Sequence, residues 1–254
     1  MKKILKDQSH PVYRWIRFNV WLFFPKYTVE GVENLPDEPA VIVGNHCKAN
    51  GPIFSQLYMP RKSFTWCVAN MMHVKEVPSY AFEDFWSRKP KWTHWFYHLA
   101  SYIIAPLAAF IMTNANTIGV YHDKRVIKTF QDSAEKLGSG SDVVIFPECY
   151  EEHNNIVNNF QQGFAELGRF DYRKNKRRTP FVPMYLCPDL KKAVFGKPIY
   201  YDPEADKKAE PARICTELMD AISEMAYELP RHKVTTYNNI SKKHYPENIR
   251  MEKE

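Results

Sequence analysis

Short apolar runs separated by stretches of helical period dominate this chain. Ala40-Val41-Ile42-Val43-Gly44 and Val143-Val144-Ile145-Phe146-Pro147 are uninterrupted, the pattern of strands buried on both faces. The two runs predict strands at 40–44 and 142–147, and further strands are predicted at 27–31, 64–68, 117–121, 181–185 and 194–199. Helices are predicted at 52–59, 124–137, 156–170 and 211–229. In 124–137, Ile127, Phe130, Ala134 and Leu137 recur at helical spacing and the pattern stops at Gly138. The last helix repeats Ile214, Leu218, Ile222, Met225 and Leu229 and stops before Pro230. Strands alternating with helices predict an α/β fold, a mixed sheet flanked by helices, over residues 27–230. No internal repeat is present. Residues 231–254 mix acidic and basic groups without an apolar stripe and read as a polar C-terminal tail.

Two segments do not fit that alternation. Residues 12–24 mix bulky aromatics with Arg14 and Arg17. This suits an interfacial helix, with rings at headgroup level and arginines reaching outward. A core-packing amphipathic helix is the alternative. Residues 1–26 are therefore read as an N-terminal membrane-interface segment. Residues 95–112 carry no formal charge if His98 is neutral, but fall short of the ~20 apolar residues that a spanning helix needs. With Pro106 inside, they predict a buried or partly membrane-inserted helix, kinked or broken near the proline. Residues 72–113 as a whole read as an inserted apolar helical segment.

Composition narrows the class. At 254 residues, one core of ordinary size is expected. The net charge of +6 suits an anionic membrane surface as well as any basic soluble protein. No nucleic-acid motif accompanies it, so a nucleic-acid partner is not expected. The basic run Arg173–Arg178 is either a solvated loop or a contact with anionic lipid. Cysteines 47, 67, 149, 187 and 215 are odd in number and form no C-x-x-C pair. They predict reduced thiols and neither a disulfide framework nor a zinc site. No metal is expected, since the histidines show no ligand spacing with carboxylates. Met1 to Gln8 has basic residues but no following apolar stretch, so a cleaved signal peptide is not expected.

The candidate chemistry begins at Asn45-His46, directly after the first buried strand. Gly51-Pro52 then opens a helix, with Pro52 expected in its first position. A histidine between a strand end and a helix start is well placed as a base, near N–H groups that can hold developing negative charge. A histidine that merely caps a turn is the alternative. The second apolar strand ends in Pro147-Glu148, followed by Cys149, Tyr150, Glu151 and Glu152.

Four ordered blocks resemble the glycerolipid acyltransferase superfamily, whose best-known members are the lysophosphatidic acid acyltransferases. Gly31-Val32-Glu33-Asn34-Leu35-Pro36 through Asn45-His46 is similar to its first block, and Asn116 through His122 to its second. Phe146-Pro147-Glu148 resembles the start of its third, and Phe181-Val182-Pro183-Met184-Tyr185 its fourth. Phe195-Gly196-Lys197-Pro198-Ile199 and Phe160-Gln161-Gln162-Gly163-Phe164-Ala165 add two more matches. The resemblance implies an acyltransferase-like fold with His46 as general base. It further implies acyl-CoA or acyl-carrier protein as the acyl donor, with no bound cofactor. Asn45, Asn50, Gly51, His122, Pro147 and Cys149 would line the substrate. The protein would sit on membrane lipids at the cytoplasmic face, as a peripheral or monotopic protein.

The departures are equally specific. The family places Asp five positions after the histidine, and here that position is Gly51. The third block normally runs Glu-Gly-Thr-Arg, and here Glu151 stands where an arginine would meet an acceptor phosphate. His122 replaces a frequent arginine in the second block. The missing carboxylate is expected from Glu148, Glu151 or Glu152, with Glu148 favoured because it aligns with the motif. Asn50 could instead accept a bond from the ring. Cys47 and Cys149 flank motif residues, and a covalent thioester role for them is the weaker alternative to plain packing. The expected activity is transfer of a fatty acyl group from a thioester to a lysolipid or other hydroxyl acceptor, not plain lysophosphatidate. The alternatives are a catalytically decayed lipid- or acyl-chain-binding module, and a thioester hydrolase.

Overall fold

The uninterrupted apolar runs are the central strands of a mostly parallel sheet in the computed structural model, which describes residues 10–87 and 89–250. In chain order the elements are α1 (Pro11–Phe23), β1 (Thr28–Glu30), β2 (Val41–Gly44), α2 (Asn50–Leu57), β3 (Ser63–Val68), α3 (Val77–Ala81) and α4 (His94–Asn114). They continue with β4 (Thr117–Val120), α5 (Val126–Gly138), β5 (Asp142–Ile145), β6 (Glu148–Glu152), β7 (Asn158–Phe160) and α6 (Glu166–Asn175). The last are β8 (Pro180–Cys187), β9 (Lys192–Phe195), β10 (Ile199–Tyr200) and α7 (Ala209–Glu228). The fold is mixed α/β with helices flanking the sheet, as the alternation predicts. The chain forms two units, residues 1–24 with 66–129, and residues 25–65 with 130–254.

In the second unit the strand order is β1-β9-β8-β2-β5-β3. β2 pairs in parallel with β5 on one side and β8 on the other. All residues of β2, β5 and β8 are buried. That explains their lack of polar alternation, since both faces meet apolar side chains. Ile42, Val144, Val182, Met184 and Leu186 form one core cluster with Phe54 of α2 and Phe195. Ile214, Leu218, Ile222 and Ala226 of α7 are buried, and α7 packs on β8. At the amino ends of β2 and β5, Asp142 accepts from the Ala40 N–H at 2.8 Å and from Arg61 at 2.7 and 2.9 Å. Burial raises its carboxyl pKa against those bonds.

The first unit is organised differently. Val77 and Ala81 of α3 pack on Ala105 and Ala109 of α4. Only Ser101, Ala105 and Ala109 of α4 are buried, every fourth residue. The stripe is narrow, and Trp95, Phe96, Leu99, Tyr102, Ile103 and Leu107 are exposed. The helix runs without a break through Pro106, contrary to one reading of the proline. α1 exposes Trp15, Phe18, Trp21, Leu22 and Phe23, and its His10 ring meets Phe110 of α4 edge-on at 5.3 Å.

Three elements differ from the periodicity. The predicted helix at 156–170 is a strand, a short 3-10 turn and then α6. Glu148 and Glu152 pair with Phe160 and Asn158 in a β6–β7 hairpin with a bulge. The apolar residues Ile156, Val157, Phe160 and Phe164 are spaced so that either period fits, and cross-strand pairing decided it. The expected strand at 194–199 is split into β9 and β10, which share the far edge of β8. Pro52 is the third residue of α2, where its missing N–H still costs nothing. Residues 231–250 are not a loose tail, for His232, Val234 and Asn248 are buried. The basic start at residues 1–8 and the final residues 251–254 lie outside the described residues.

Candidate active site

The carboxyl ends of three neighbouring strands, β2, β5 and β8, converge in the second unit. β2 leads directly into Asn45 and His46. Asn45 is buried, and its side chain clasps the main chain of β8. Its Oδ1 accepts from the Leu186 N–H at 2.7 Å and its Nδ2 donates to the Leu186 carbonyl at 3.0 Å. The Asn45 amide, expected at the substrate, thus anchors the strand end. It fixes the height at which the next residue leaves the sheet.

His46 is half-buried. Its ring meets Phe146 at 5.5 Å and Tyr237 at 5.7 Å, both edge-on. The turn that follows is unusual. Cys47 and Lys48 have φ of +47° and +57°, a left-handed conformation that costs a non-glycine residue roughly 1–2 kcal/mol. Two such residues in succession persist only where surrounding contacts over-determine them. The Cys47 thiol donates to the carbonyls of Leu186 at 3.3 Å and Thr235 at 3.7 Å. Lys48 Nζ donates to the Ile240 carbonyl at 3.4 Å and the Tyr245 hydroxyl at 2.8 Å.

Gly51 closes the turn. Its N–H donates to the His46 carbonyl at 3.2 Å. A Cβ added there would stand 2.5 Å from that same oxygen and 2.9 Å from the Phe146 ring. The aspartate that the resemblance leads one to expect here would not fit this turn without a shift of the main chain. Asn50 is turned to the Cys47 carbonyl, which accepts from both its main-chain N–H and its Nδ2 at 3.1 Å. That is a turn contact and differs from the ring contact considered for it.

Glu148 is next to His46, but it meets the main chain. Its Oε2 accepts from the His46 N–H at 2.5 Å and its Oε1 from the Asn158 N–H at 3.0 Å. Burial pushes its carboxyl up to about 7, with the two N–H donors pulling the other way. Glu151 and Glu152 are exposed on β6. Pro147 is buried and its carbonyl accepts from the Gln161 N–H at 2.9 Å. Cys149 is half-buried, and its carbonyl accepts from Asn158 Nδ2 at 2.7 Å. The Cys47 thiol is buried. Desolvation, then the charges of Glu148 and Cys187, hold its pKa well above the ordinary cysteine range. A thiol kept protonated in this way is a poor nucleophile. His122 belongs to the first unit, exposed in the turn after β4, beside the Asp123–Arg125 ion pair.

Asn45, His46, Gly51, Pro147, Glu148 and Cys149 therefore share one strand-end neighbourhood. Sequence reasoning missed Asn158, Tyr237 and the loop that carries Tyr237. The one signal for that loop was a pair of aromatics, Tyr237 and Tyr245, inside an otherwise polar segment. What the arrangement offers chemically is a half-buried imidazole, with its residue held at the main chain by a buried carboxyl group and its ring met by two aromatics.

No family model matches this sequence. No curated protein matches it. Among solved structures, the crystal structure of the 1-acyl-sn-glycerophosphate (LPA) acyltransferase PlsC from Thermotoga maritima is similar over 89% of this chain and 86% of that chain, at 14% identity and a TM-score of 0.46.

Proposed function

We propose that this protein is an acyltransferase of the glycerolipid type, moving a fatty acyl group from a thioester donor to a hydroxyl acceptor at a membrane surface. The observation that carries the reading is the seat of His46, half-buried at the carboxyl end of central strand β2 beside the carboxyl end of β5. Ligands of open α/β sheets bind at that edge. The ordered blocks around Asn45-His46 and Phe146-Pro147-Glu148 support it. In the reaction, the imidazole of His46 takes the proton of the acceptor hydroxyl as its oxygen attacks the thioester carbonyl. The C–S bond then breaks, and the leaving thiolate recovers the proton from the imidazolium. Glu148 keeps the strand end in place through the His46 N–H. With Glu151 where the family has arginine, the acceptor differs from plain lysophosphatidate.

The first unit supports a membrane surface as the place of reaction. α1 and α4 expose Trp15, Phe18, Trp21, Trp95, Phe96 and Ile103. The helical stretch Lys91–Asn114 is long and apolar enough to cross a membrane, and only 17% of its apolar window is buried. Exposed aromatics beside Arg14 and Arg17 suit the headgroup layer.

The decisive assay uses purified protein with acyl-CoA or acyl-carrier protein and a panel of lysolipid acceptors. His46→Ala should lower turnover by about 10²–10⁴-fold, the usual scale for loss of a general base, with an unchanged unfolding transition. Undiminished turnover in that variant rules the mechanism out. One observation favours a second reading, a lipid-binding module without activity: both Glu148 oxygens are engaged by main-chain amides. For that reading, mass spectrometry should find one unreacted lipid copurifying, with no transfer from any donor.

A further inference from the structure

We propose that the C-terminal loop spanning residues 232–248 is a working part of the catalytic site, and that Tyr237 is a positioning residue that orients the His46 ring. The proposal rests on the reading of His46 as the general base. The loop is closed at its base. The His232 N–H donates to Asn248 Oδ1 at 2.8 Å, and the Asn248 N–H donates to the His232 carbonyl at 3.2 Å. His232 Nε2 bonds the Tyr185 hydroxyl of β8 at 2.7 Å, and Asn248 Nδ2 donates to the carbonyls of Ala226 and Leu229. A stem held by these five hydrogen bonds carries a tip, Thr235 to Tyr245, that mixes polar residues with Tyr237, Ile240 and Tyr245.

That tip meets three consecutive residues. The Tyr237 ring lies against the His46 ring, the Thr235 carbonyl takes the Cys47 thiol, and Ile240 and Tyr245 take the Lys48 ammonium. The loop also reaches the other side of the Glu148–His46 link, where Asn158 Nδ2 donates to Asn238 Oδ1 at 3.4 Å. These contacts converge on the left-handed turn at Cys47 and Lys48, a conformation that needs outside support. An apolar stripe would bind such a loop for stability alone. Here the contacts are specific, and they end on the base and its neighbours.

The role of Tyr237 follows from ring geometry. Phe146 and Tyr237 approach the imidazole with interplanar angles of 67° and 76°. Phe146 comes from the end of β5 and Tyr237 from the loop, and two edge-on neighbours restrict rotation of the ring about its terminal torsion, which is otherwise broad. Tyr237 is itself backed by Tyr150 of β6 at 5.3 Å. Removing the Tyr237 ring takes away the restraint that the loop supplies, and with it part of what sets the distance from the imidazole to a bound acceptor.

The test uses the full chain carrying Tyr237→Ala, Tyr237→Leu or Tyr237→Phe, with two readouts. The first is the rate at which diethylpyrocarbonate modifies His46, assigned by peptide mass spectrometry in the absence of substrate. The second is kcat and KM measured separately. In the Ala and Leu variants His46 should react several-fold faster. Their kcat should fall at least about tenfold, the scale of a misplaced catalytic group, with KM little changed. Tyr237→Phe keeps the ring and should restore both values. Unchanged His46 reactivity in the Ala and Leu variants overturns the proposal, whatever kcat does. A Phe variant as impaired as Ala overturns it too, because the hydroxyl and not the ring would then matter. If Tyr237→Ala unfolds, Tyr237→Leu retains bulk and decides the question alone. Should His46→Ala keep its turnover, the acyl-transfer reading fails, while the reactivity measurement still tests the ring restraint by itself.

Discussion

Glu148 holds His46 by the main chain, its Oε2 accepting the His46 N–H at 2.5 Å while its Oε1 accepts that of Asn158. Both partners are amides that only donate, so the site asks for two acceptor oxygens. Glu148→Gln turns one of them into a donor facing a donor. It should lower stability by about 1–3 kcal/mol, the cost of a buried group left unsatisfied, in a urea unfolding series at fixed pH. Equal stability of the two proteins would mean that the buried clasp contributes nothing.

The same carboxyl makes stability depend on pH. Its folded pKa is raised from 4.5 to about 7, chiefly by burial. Between those values the folded state binds more protons than the unfolded chain, so stability falls as pH rises. The contribution is complete below about 4.5 and gone above about 7. The wild-type protein minus Glu148→Gln should therefore slope downward across that window, by at most ~1.4 kcal/mol per pH unit. A difference that is flat, or that rises with pH, contradicts the raised pKa.

Placing an aspartate at position 51, where the resembled motif carries one, should fail. At Gly51 a Cβ would lie 2.5 Å from the His46 carbonyl oxygen, a main-chain atom that cannot swing aside. Gly51→Asp and Gly51→Ala should both destabilise by about 1–3 kcal/mol, as overpacking does, and Gly51→Asp should not raise activity. Thermal unfolding with a parallel activity assay checks this. A Gly51→Asp protein as stable as wild type and more active would show that the turn yields easily.

Asn45→Leu keeps bulk but removes both groups that face Leu186. The Leu186 carbonyl keeps the Cys47 thiol, so the cost falls chiefly on the Leu186 N–H and should be about 1–3 kcal/mol, read from chemical denaturation. A neutral result would mean that other contacts hold the ends of β2 and β8 together.

Charge placed on the exposed faces of α1 and α4 should weaken membrane binding. Trp21→Glu with Phe18→Glu, and separately Ile103→Glu with Leu107→Glu, remove side chains each worth roughly 1.5–3 kcal/mol on full burial in an apolar phase. Each pair should reduce flotation with anionic vesicles at least about tenfold. Wild-type protein that stays in the aqueous fraction would remove the membrane assignment altogether.

Much of the fold was legible because burial on both faces leaves an unmistakable trace. Val41–Val43, Val143–Ile145 and Phe181–Leu186 have no polar alternation, which marks buried strands, and the pairing of β2 with β5 and β8 shows them to be parallel and central. The stripe Ile214, Leu218, Ile222 likewise marks α7. Where scattered apolar residues suit two periods, local sequence misled. Residues 156–165 looked helical, and the hairpin pairing of Glu148 with Phe160 and of Glu152 with Asn158 turned Asn158–Phe160 into a strand.

His46 could be marked from its place at the end of an apolar strand, and Glu148 as its expected neighbour from the motif resemblance alone. How they meet could not. Whether a carboxylate faces an imidazole or an amide depends on a few ångströms of strand offset, which residue types do not encode. The Gly51 position shows the same division. Sequence identifies a glycine where a carboxylate was expected, and only the approach of the His46 carbonyl explains it. Residues 231–250 show it most plainly. A polar segment without period carries no folding signal of its own. Its place beside His46 is decided by long-range pairing, His232 with Tyr185 and Asn248, Tyr237 with His46 and Lys48 with Tyr245. Local sequence determines period and burial, whereas partners distant along the chain exist only once it has closed on itself.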